Sequence, residues 1–567
     1  MLLEKVWLPS MTRRVPRFGQ WKSTRFPDEP AIRSPKTSLM DTPSILPALP
    51  FRIWPYLLVN LVAAVWLDFT SFHRLATSDS IVFVLASLYE MRLFFWEQDR
   101  IGMLVPLLAA WCRSPFHNLL IQTGSMIFLG LTMPVMLARV LTPHRMAPLA
   151  VTAMNAAFLF FAPDTLHENW MLVCNYPSGL LLGFTAISIV DSRPTGASWN
   201  RRALRLIGCA VLMLLAHWQY FGAILYLGPL VVFRAWLQSG PGAPAPVRDW
   251  RRIVLRPFTD SRARLAVLLM LLALGAIGVT MLLVRWMNPI TVRTSPSASP
   301  PELWLSIWSS MFGNVAELPG MAAFAACAVG VCAVGFTFAL CTERRLSATM
   351  AIAVLPALLA ASVEFGFLGT RDWMIRNDFH PRYLVAALTS LTTALALLGL
   401  VPILSRLPRR YETAAILSAG ALLLAAATGR YGWPSSEGVR RLLDDQCGEM
   451  TPVLIETQCE AVGGEYWVVW MSMFHINMAL YDRGEDRVVF GVGYRSQPMR
   501  GRWSQFPDGF RVALPEEDFD EIQSKAEYRG LAPFEKLEER GEVLFPAHPH
   551  ADPRTIRVGI YRTKIGK

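Results

Sequence analysis

Charged residues are scarce in this sequence. Of its 567 residues, 17% are charged and 53% are hydrophobic. A soluble domain carries about 25% charged residues, so this composition argues against a soluble globular protein. Repeated apolar runs of about 20 residues instead predict a chain that crosses a membrane several times.

Lysine is nearly absent from the central part of the chain. The sequence has seven lysines, and none lies between Lys36 and Lys525. Arginine therefore supplies the positive charge there, and it can hold a phosphate or a carboxylate through two parallel hydrogen bonds. The net charge of +11 lies mostly beside apolar segments and in residues 1–50, which favours contact with the lipid bilayer and not with nucleic acid.

Metal-binding motifs are missing as well. The eight cysteines form no Cys-x-x-Cys pair, and no Cys/His run has the spacing of a zinc site. We therefore predict no cofactor, while leaving a divalent metal open. Cys447 and Cys459 lie in the polar C-terminal region and would be able to form a disulfide in an oxidising compartment.

The apolar runs predict an all-α polytopic membrane protein with about 11 transmembrane helices. The predicted spans are 53–68, 117–139, 147–162, 171–190, 204–219, 221–236, 264–285, 320–341, 347–366, 383–404 and 413–428. They define a basic, disordered arm at 1–50, a membrane domain at 51–428 and a small α+β domain at 429–567. In that last domain Gly438–Cys447 predicts a helix, whereas Tyr466–Met471, Val488–Val492 and Thr555–Tyr561 predict strands.

Every second turn between the spans is rich in arginine, which predicts its location in the cytoplasm. This pattern places the N-terminus in the cytoplasm and residues 429–567 in the periplasm of a bacterial inner membrane. The opposite turns carry acids, histidines and tryptophans. The stretch 80–112 is too interrupted to span, so we predict interfacial helices there. A further interfacial helix is expected near Trp304 and Trp308.

The first outer loop contains the candidate catalytic acids, which are Asp79, Glu97 and Asp99, with Arg100 beside them as a substrate-binding candidate. A carboxylate at the membrane surface can deprotonate an acceptor hydroxyl that attacks an anomeric carbon. Asp79 also fits a plainer role, as the cap of a helix that begins at Ser80.

A late outer turn concentrates basic residues, against the expected orientation of charge. Its substrate-binding candidates are Arg371, Arg376, His380, Arg382 and Tyr383. Arginines at a lipid interface suit the phosphate of a lipid-linked substrate. Interfacial anchoring by arginine and tyrosine is the alternative.

Two further outer loops contribute weaker candidates for substrate binding. These are His167 and Glu168, which follow Asp164, and His217. Such side chains can bind sugar hydroxyls or a metal, but no helical spacing links the histidines, and polar loop tips explain them equally well.

Together these features resemble the GT-C glycosyltransferases of the protein-mannosyltransferase and aminoarabinose-transferase type. The resemblance rests on an acid in the first outer loop, interfacial helices after it, and His380-Pro381-Arg382-Tyr383 at the entrance of a span. Leu104–Leu108 is similar to the Pro-Pro-Leu stretch that follows the first-loop acid in that family.

The resemblance implies a sugar donor on a polyprenyl phosphate and inversion of the anomeric centre. It also implies that Asp79 is the base, with Asp99 as the alternative, and that the Arg371–Arg382 cluster holds the donor phosphate. The acceptor stays open between lipid, polysaccharide and protein. Two other functions compete: a transporter or flippase, which needs acids inside the membrane, and a non-catalytic assembly subunit of the cell envelope.

Overall fold

The computed structural model describes most of the chain beyond residue 52. The described residues are 53–94, 102–172, 175–191, 199–238, 261–287, 298–342, 344–493, 511–520, 523–524, 534–545 and 554–563. The predicted arm at 1–50 lies outside them, and so do three candidate site residues of the first outer loop, namely Glu97, Asp99 and Arg100.

The described chain is mainly helical. Its α-helices, in chain order, are α1 (Trp54–Asp68), α2 (Ser78–Tyr89), α3 (Leu104–Ala109), α4 (Pro115–Leu141), α5 (Ala147–Phe161), α6 (Asp164–Met171), α7 (Tyr176–Asp191), α8 (Trp199–Gln219), α9 (Ile224–Gln238), α10 (Ser261–Met287), α11 (Trp304–Ala316), α12 (Met321–Thr342), α13 (Arg344–Leu368), α14 (Asp372–Arg376), α15 (Val385–Leu404), α16 (Glu412–Tyr431), α17 (Ser436–Cys447), α18 (Met450–Glu456) and α19 (Tyr466–Asp482).

Each of the predicted spans coincides with one of these helices, because long apolar runs must satisfy their backbone internally in lipid. Six helices among the described residues are long and apolar enough to cross a membrane, or seven if α6 and α7 form one broken span. Large apolar side chains on α10, such as Leu271 and Leu282, are exposed as expected for a surface that faces hydrocarbon. The protein is a multi-pass membrane protein, and the total of about eleven spans stays a prediction.

A small sheet follows the helical part. Its strands are β1 (Ala461–Gly463), β2 (Phe490–Val492), β3 (Arg511–Pro515), β4 (Phe534–Phe545) and β5 (Arg554–Thr563). They are ordered β2-β1-β3-β5-β4. The first three strands are parallel, while β5 runs antiparallel to both β3 and β4. Helices and sheet together confirm the predicted fold class, a helical membrane protein with a small α+β region after it.

One predicted strand is wrong. Tyr466–Met471 is not a strand but the beginning of helix α19, which continues to Asp482. Its valines and aromatic residues favour a strand locally, but the apolar run is 17 residues long and is buried on nearly every side from Val468 to Met478. Short apolar runs do not separate buried helices from strands, and here burial along the whole run favours the helix.

Helices α2 and α19 share one hydrophobic core, although nearly 400 residues separate them in sequence. Ile81 and Leu85 of α2 belong to the same buried cluster as Trp470 and Phe474 of α19. The side chain of Trp470 is 0% exposed. The first outer loop therefore packs directly on the C-terminal region, which fixes the entrance of α19 against the entrance of α2.

The two cysteines of the C-terminal region are both buried free thiols, so the possible disulfide is not formed. Cys447 donates a hydrogen bond to the Leu443 carbonyl, and Cys459 accepts one from Thr457. Burial raises the pKa of the Cys459 thiol to about 11, which keeps it protonated and unreactive at neutral pH.

Candidate functional site

Asp79 lies in the first turn of α2, where the helix dipole favours a negative charge. The helix begins at Ser78, and Ser80 accepts a hydrogen bond from the Thr77 backbone N–H at 3.0 Å. The alternative role of Asp79, as cap of a helix that begins at Ser80, is therefore wrong. Its carboxylate instead leans away from the helix towards two distant parts of the chain, and the side chain is 15% exposed.

Arg382 is the first of these distant partners. Its Nη1 donates to Asp79 Oδ2 at 2.9 Å across 303 residues of sequence. The guanidinium also lies over the ring of Tyr383, 5.0 Å from its centroid, and is 24% exposed. The two strongest candidates from the sequence, the first-loop acid and the late outer arginine, thus meet in one partly buried ion pair.

The turn that carries Arg382 is held rigidly. Asp378 and Phe379 both have positive φ angles, 49° and 50°, which residues other than glycine rarely adopt. The Asp378 carbonyl accepts a hydrogen bond from Asn314 at 3.0 Å, and the His380 ring accepts one from the Arg382 backbone N–H at 3.4 Å. Strained residues of this kind persist where the surroundings fix them, which is typical of functional turns.

Asn377 is a residue of this site that the sequence analysis did not select. Its Oδ1 accepts hydrogen bonds from Arg382 Nη2 at 3.3 Å and from the Tyr383 hydroxyl at 3.0 Å. Tyr383 is 5% exposed and packs with Met311 and Met374. Asn377 therefore holds Nη2 of Arg382 while Nη1 contacts Asp79, and the guanidinium lies over the ring of Tyr383.

Tyr466, the first residue of α19, is the second distant partner of Asp79. Its hydroxyl donates to Asp79 Oδ1 at 2.6 Å across 387 residues of sequence. Beside it, the hydroxyl of Ser78 donates to the Trp467 carbonyl at 3.0 Å. Sequence reasoning missed Tyr466 because its segment was predicted as a strand and no local motif connects it with the first outer loop.

The other two outer arginines have different partners. Arg376 pairs with Asp372 one helical turn away at 2.7 Å, and its side chain is 71% exposed. Arg371 lies over the ring of Phe367, 4.0 Å from its centroid. Among the described contacts of these three arginines, the one with Asp79 is made by Arg382.

The second outer loop forms a separate ion-pair network around Asp164. Arg430 donates to Asp164 Oδ1 at 2.8 Å and 3.2 Å, and Arg74 donates to Oδ2 at 2.9 Å. The hydroxyl of Tyr431 donates to Oδ1 at 3.1 Å and is 2.5 Å from His167 Nδ1. This network joins α6 to the end of α16.

His167 and Glu168 are both buried within this region. His167 is 0% exposed, and its Nε2 is 3.0 Å from the Phe158 carbonyl, so each ring nitrogen contacts a protein group. Glu168 is 4% exposed. His217, on α8, is 0% exposed and has no hydrogen-bond partner for either ring nitrogen among the described residues. These three residues thus lie inside the protein and not on an open surface.

A small cavity of about 20 Å³, which holds about one water molecule, lies along α2. Most of its wall is apolar, and four wall residues can form hydrogen bonds to a ligand. They are Ser80, Gln122, Thr123 and Asn175.

Within the described ranges, no group of three or more His, Cys, Asp or Glu side chains is placed to hold a metal ion. What the site brings together is a carboxylate, a guanidinium and a phenol. A carboxylate can accept a proton, and a guanidinium can bind a phosphate. The arrangement therefore offers a base beside an anion-binding group.

Comparison with known proteins finds structural similarity only. No family model and no curated protein matches the chain. A structure of ArnT from Cupriavidus metallidurans bound to undecaprenyl phosphate is similar over 89% of this chain and 97% of that chain, with 11% identity and a TM-score of 0.45. The apo structure of the same protein covers the same shares, with 12% identity and a TM-score of 0.44.

Proposed function

We propose that this protein is a GT-C-type membrane glycosyltransferase that moves a sugar from a polyprenyl phosphate to a hydroxyl-bearing acceptor in the periplasm. One observation carries the proposal: the ion pair between Asp79 and Arg382, at 2.9 Å. The reaction needs a base for the acceptor and a cation for the departing phosphate, and this pair supplies one of each at a single place.

In the proposed reaction the acceptor hydroxyl oxygen attacks the anomeric carbon of the donor sugar. A new carbon–oxygen bond forms on one face while the bond to the phosphate oxygen breaks on the other, so the configuration inverts. The phosphate leaves with the electron pair, and Arg382 stabilises its charge. The proton of the acceptor hydroxyl goes to Asp79.

The ion pair also implies an order of events. Before substrate binds, Arg382 occupies Asp79 Oδ2. The donor phosphodiester, whose single negative charge is shared by two oxygens, competes with the carboxylate for the guanidinium and leaves Oδ2 available to the acceptor proton. In this scheme Asp79 becomes an effective base only after the donor has arrived.

Asp79→Asn is the direct test of this function. Because a general base contributes roughly a hundredfold to ten-thousandfold in rate, the variant should lose sugar transfer by about that factor in proteoliposomes that contain a polyprenyl-phosphate sugar. The protein should still insert and purify as one species, since the amide keeps the shape of the side chain.

Asp164→Asn is the matched control, because it neutralises another arginine-paired acid in an outer loop. We expect it to retain transfer per folded molecule within about threefold. Wild-type activity in Asp79→Asn would remove Asp79 as the base and leave Asp99 as the remaining candidate.

A further inference from the structure

The contact between Tyr466 and Asp79 connects the C-terminal region to the proposed base. The phenol donates to Oδ1 at 2.6 Å, while Arg382 donates to Oδ2 of the same carboxylate at 2.9 Å. Both oxygens therefore have a protein partner. The two partners differ in charge, because a cationic guanidinium is strongly attracted to a phosphate, whereas a neutral phenol is attracted less.

The position of Tyr466 is fixed by packing. It is the first residue of α19, and the following residues Val469 and Trp470 are 0% exposed in the core shared with α2. The Ser78 hydroxyl, one residue before Asp79, donates to the Trp467 carbonyl at 3.0 Å. The phenol thus approaches Asp79 from a rigid support and not from a free loop.

We propose that Tyr466 is a positioning residue for the base, so that the C-terminal region completes the catalytic site. When the donor phosphate draws Arg382 from Oδ2, the hydrogen bond from Tyr466 keeps Oδ1 in place and prevents rotation of the carboxylate. Oδ2 then faces the acceptor hydroxyl, because the carboxylate keeps a single orientation. This inference rests on the proposed function, and specifically on Asp79 as the base.

Tyr466→Phe in the full-length protein tests the inference, because it removes one oxygen atom and leaves the ring. A hydrogen bond to a charged group is worth roughly tenfold to a hundredfold, so kcat should fall by about tenfold or more. The donor KM should change less than about twofold, since Tyr466 contacts the base and not the phosphate ligand. Asn377→Ala should do the reverse, because Asn377 orients Arg382: a higher donor KM with a smaller change in kcat.

Two controls separate positioning from folding. Tyr481→Phe removes the same oxygen from an exposed tyrosine near the other end of α19, and it should leave both constants unchanged. Ser78→Ala removes the neighbouring contact between α2 and α19, and it should leave kcat within about threefold. A loss in Ser78→Ala equal to that in Tyr466→Phe would assign the effect to docking of the helices and overturn the proposed role.

The outcomes also separate this inference from the proposed function. If Asp79→Asn is inactive while Tyr466→Phe keeps wild-type kcat, the positioning role is wrong and the base survives. If Asp79→Asn is active, Asp79 is not the base and the inference fails with that assignment. If the wild type transfers no sugar from a polyprenyl phosphate, the proposed function itself fails. If Tyr466→Phe raises the donor KM as much as it lowers kcat, Tyr466 acts on general substrate binding and the inference is again wrong.

Discussion

Two acid clusters, one around Asp164 and one around Asp79, contain the same residue types with different partners. Asp164 binds two arginines, Arg74 and Arg430, and the hydroxyl of Tyr431. Among the described residues, Asp79 contacts Arg382 and the hydroxyl of Tyr466. The side chain of Asp164 is 36% exposed, whereas that of Asp79 is 15% exposed.

The two clusters differ in the elements that hold the partners of each acid. With two guanidinium groups and a phenol, Asp164 joins α6, the turn after α1 and the end of α16, and both its oxygens are engaged by fixed elements. Arg382 contacts both Asp79 and Asn377, and a phosphate is able to take the place of the Asp79 carboxylate. We therefore propose that the Asp164 cluster stays closed, whereas Arg382 exchanges between Asp79 and a phosphate.

Replacing an arginine in each cluster should give the largest difference in activity between the two. Arg382→Gln should lower kcat/KM for the lipid-linked donor by about a hundredfold, because the leaving phosphate loses its charge-stabilising donor. Arg74→Gln, which removes an arginine from Asp164, should leave kcat/KM within about threefold. Initial rates over a range of donor concentrations measure both. Equal losses in the two variants would mean that both arginines serve structure.

The two clusters should also differ, by a smaller amount, in their contribution to the free energy of unfolding. Asp164→Asn should lower the free energy of unfolding by about 1–2 kcal/mol, because two arginines lose a charged partner in a partly exposed network. Asp79→Asn should lower it by less, since Asn377 still holds the Arg382 guanidinium. Denaturation in detergent, followed by tryptophan fluorescence, measures the difference. A larger loss for Asp79→Asn would reverse the assignment of roles.

The helices and half of the site could be predicted from the sequence, because each depends on local information. Apolar runs give the helices, since lipid leaves the backbone no other partner. Arg382 was selected because an arginine in an outer turn runs against the orientation of charge, and Asp79 because it follows the first span. The pairing of the two depends on tertiary structure, although the charge pattern had assigned both to the same face.

The other half of the site could not be predicted, because it depends on contacts between distant segments. Tyr466 reaches Asp79 only because α19 packs its buried face on α2, and the local residues of α19 favour a strand. Asn377 acquires its role from the strained turn at Asp378 and Phe379, which no composition rule reveals. In the second outer loop the sequence pointed to His167, but Arg430 and Tyr431 come from the end of the last span.

The exchange of Arg382 between Asp79 and a phosphate is the central claim, and its most direct test is the affinity for a polyprenyl monophosphate. Asp79→Asn frees Arg382, so this inactive variant should bind the lipid phosphate several-fold more tightly than the wild type, by roughly the energy of a partly buried ion pair. The gain should vanish when Arg382→Gln is also present, and Asp164→Asn, with the same change in charge, should show none. Unchanged or weaker binding by Asp79→Asn, or a gain that persists without Arg382, would contradict the account.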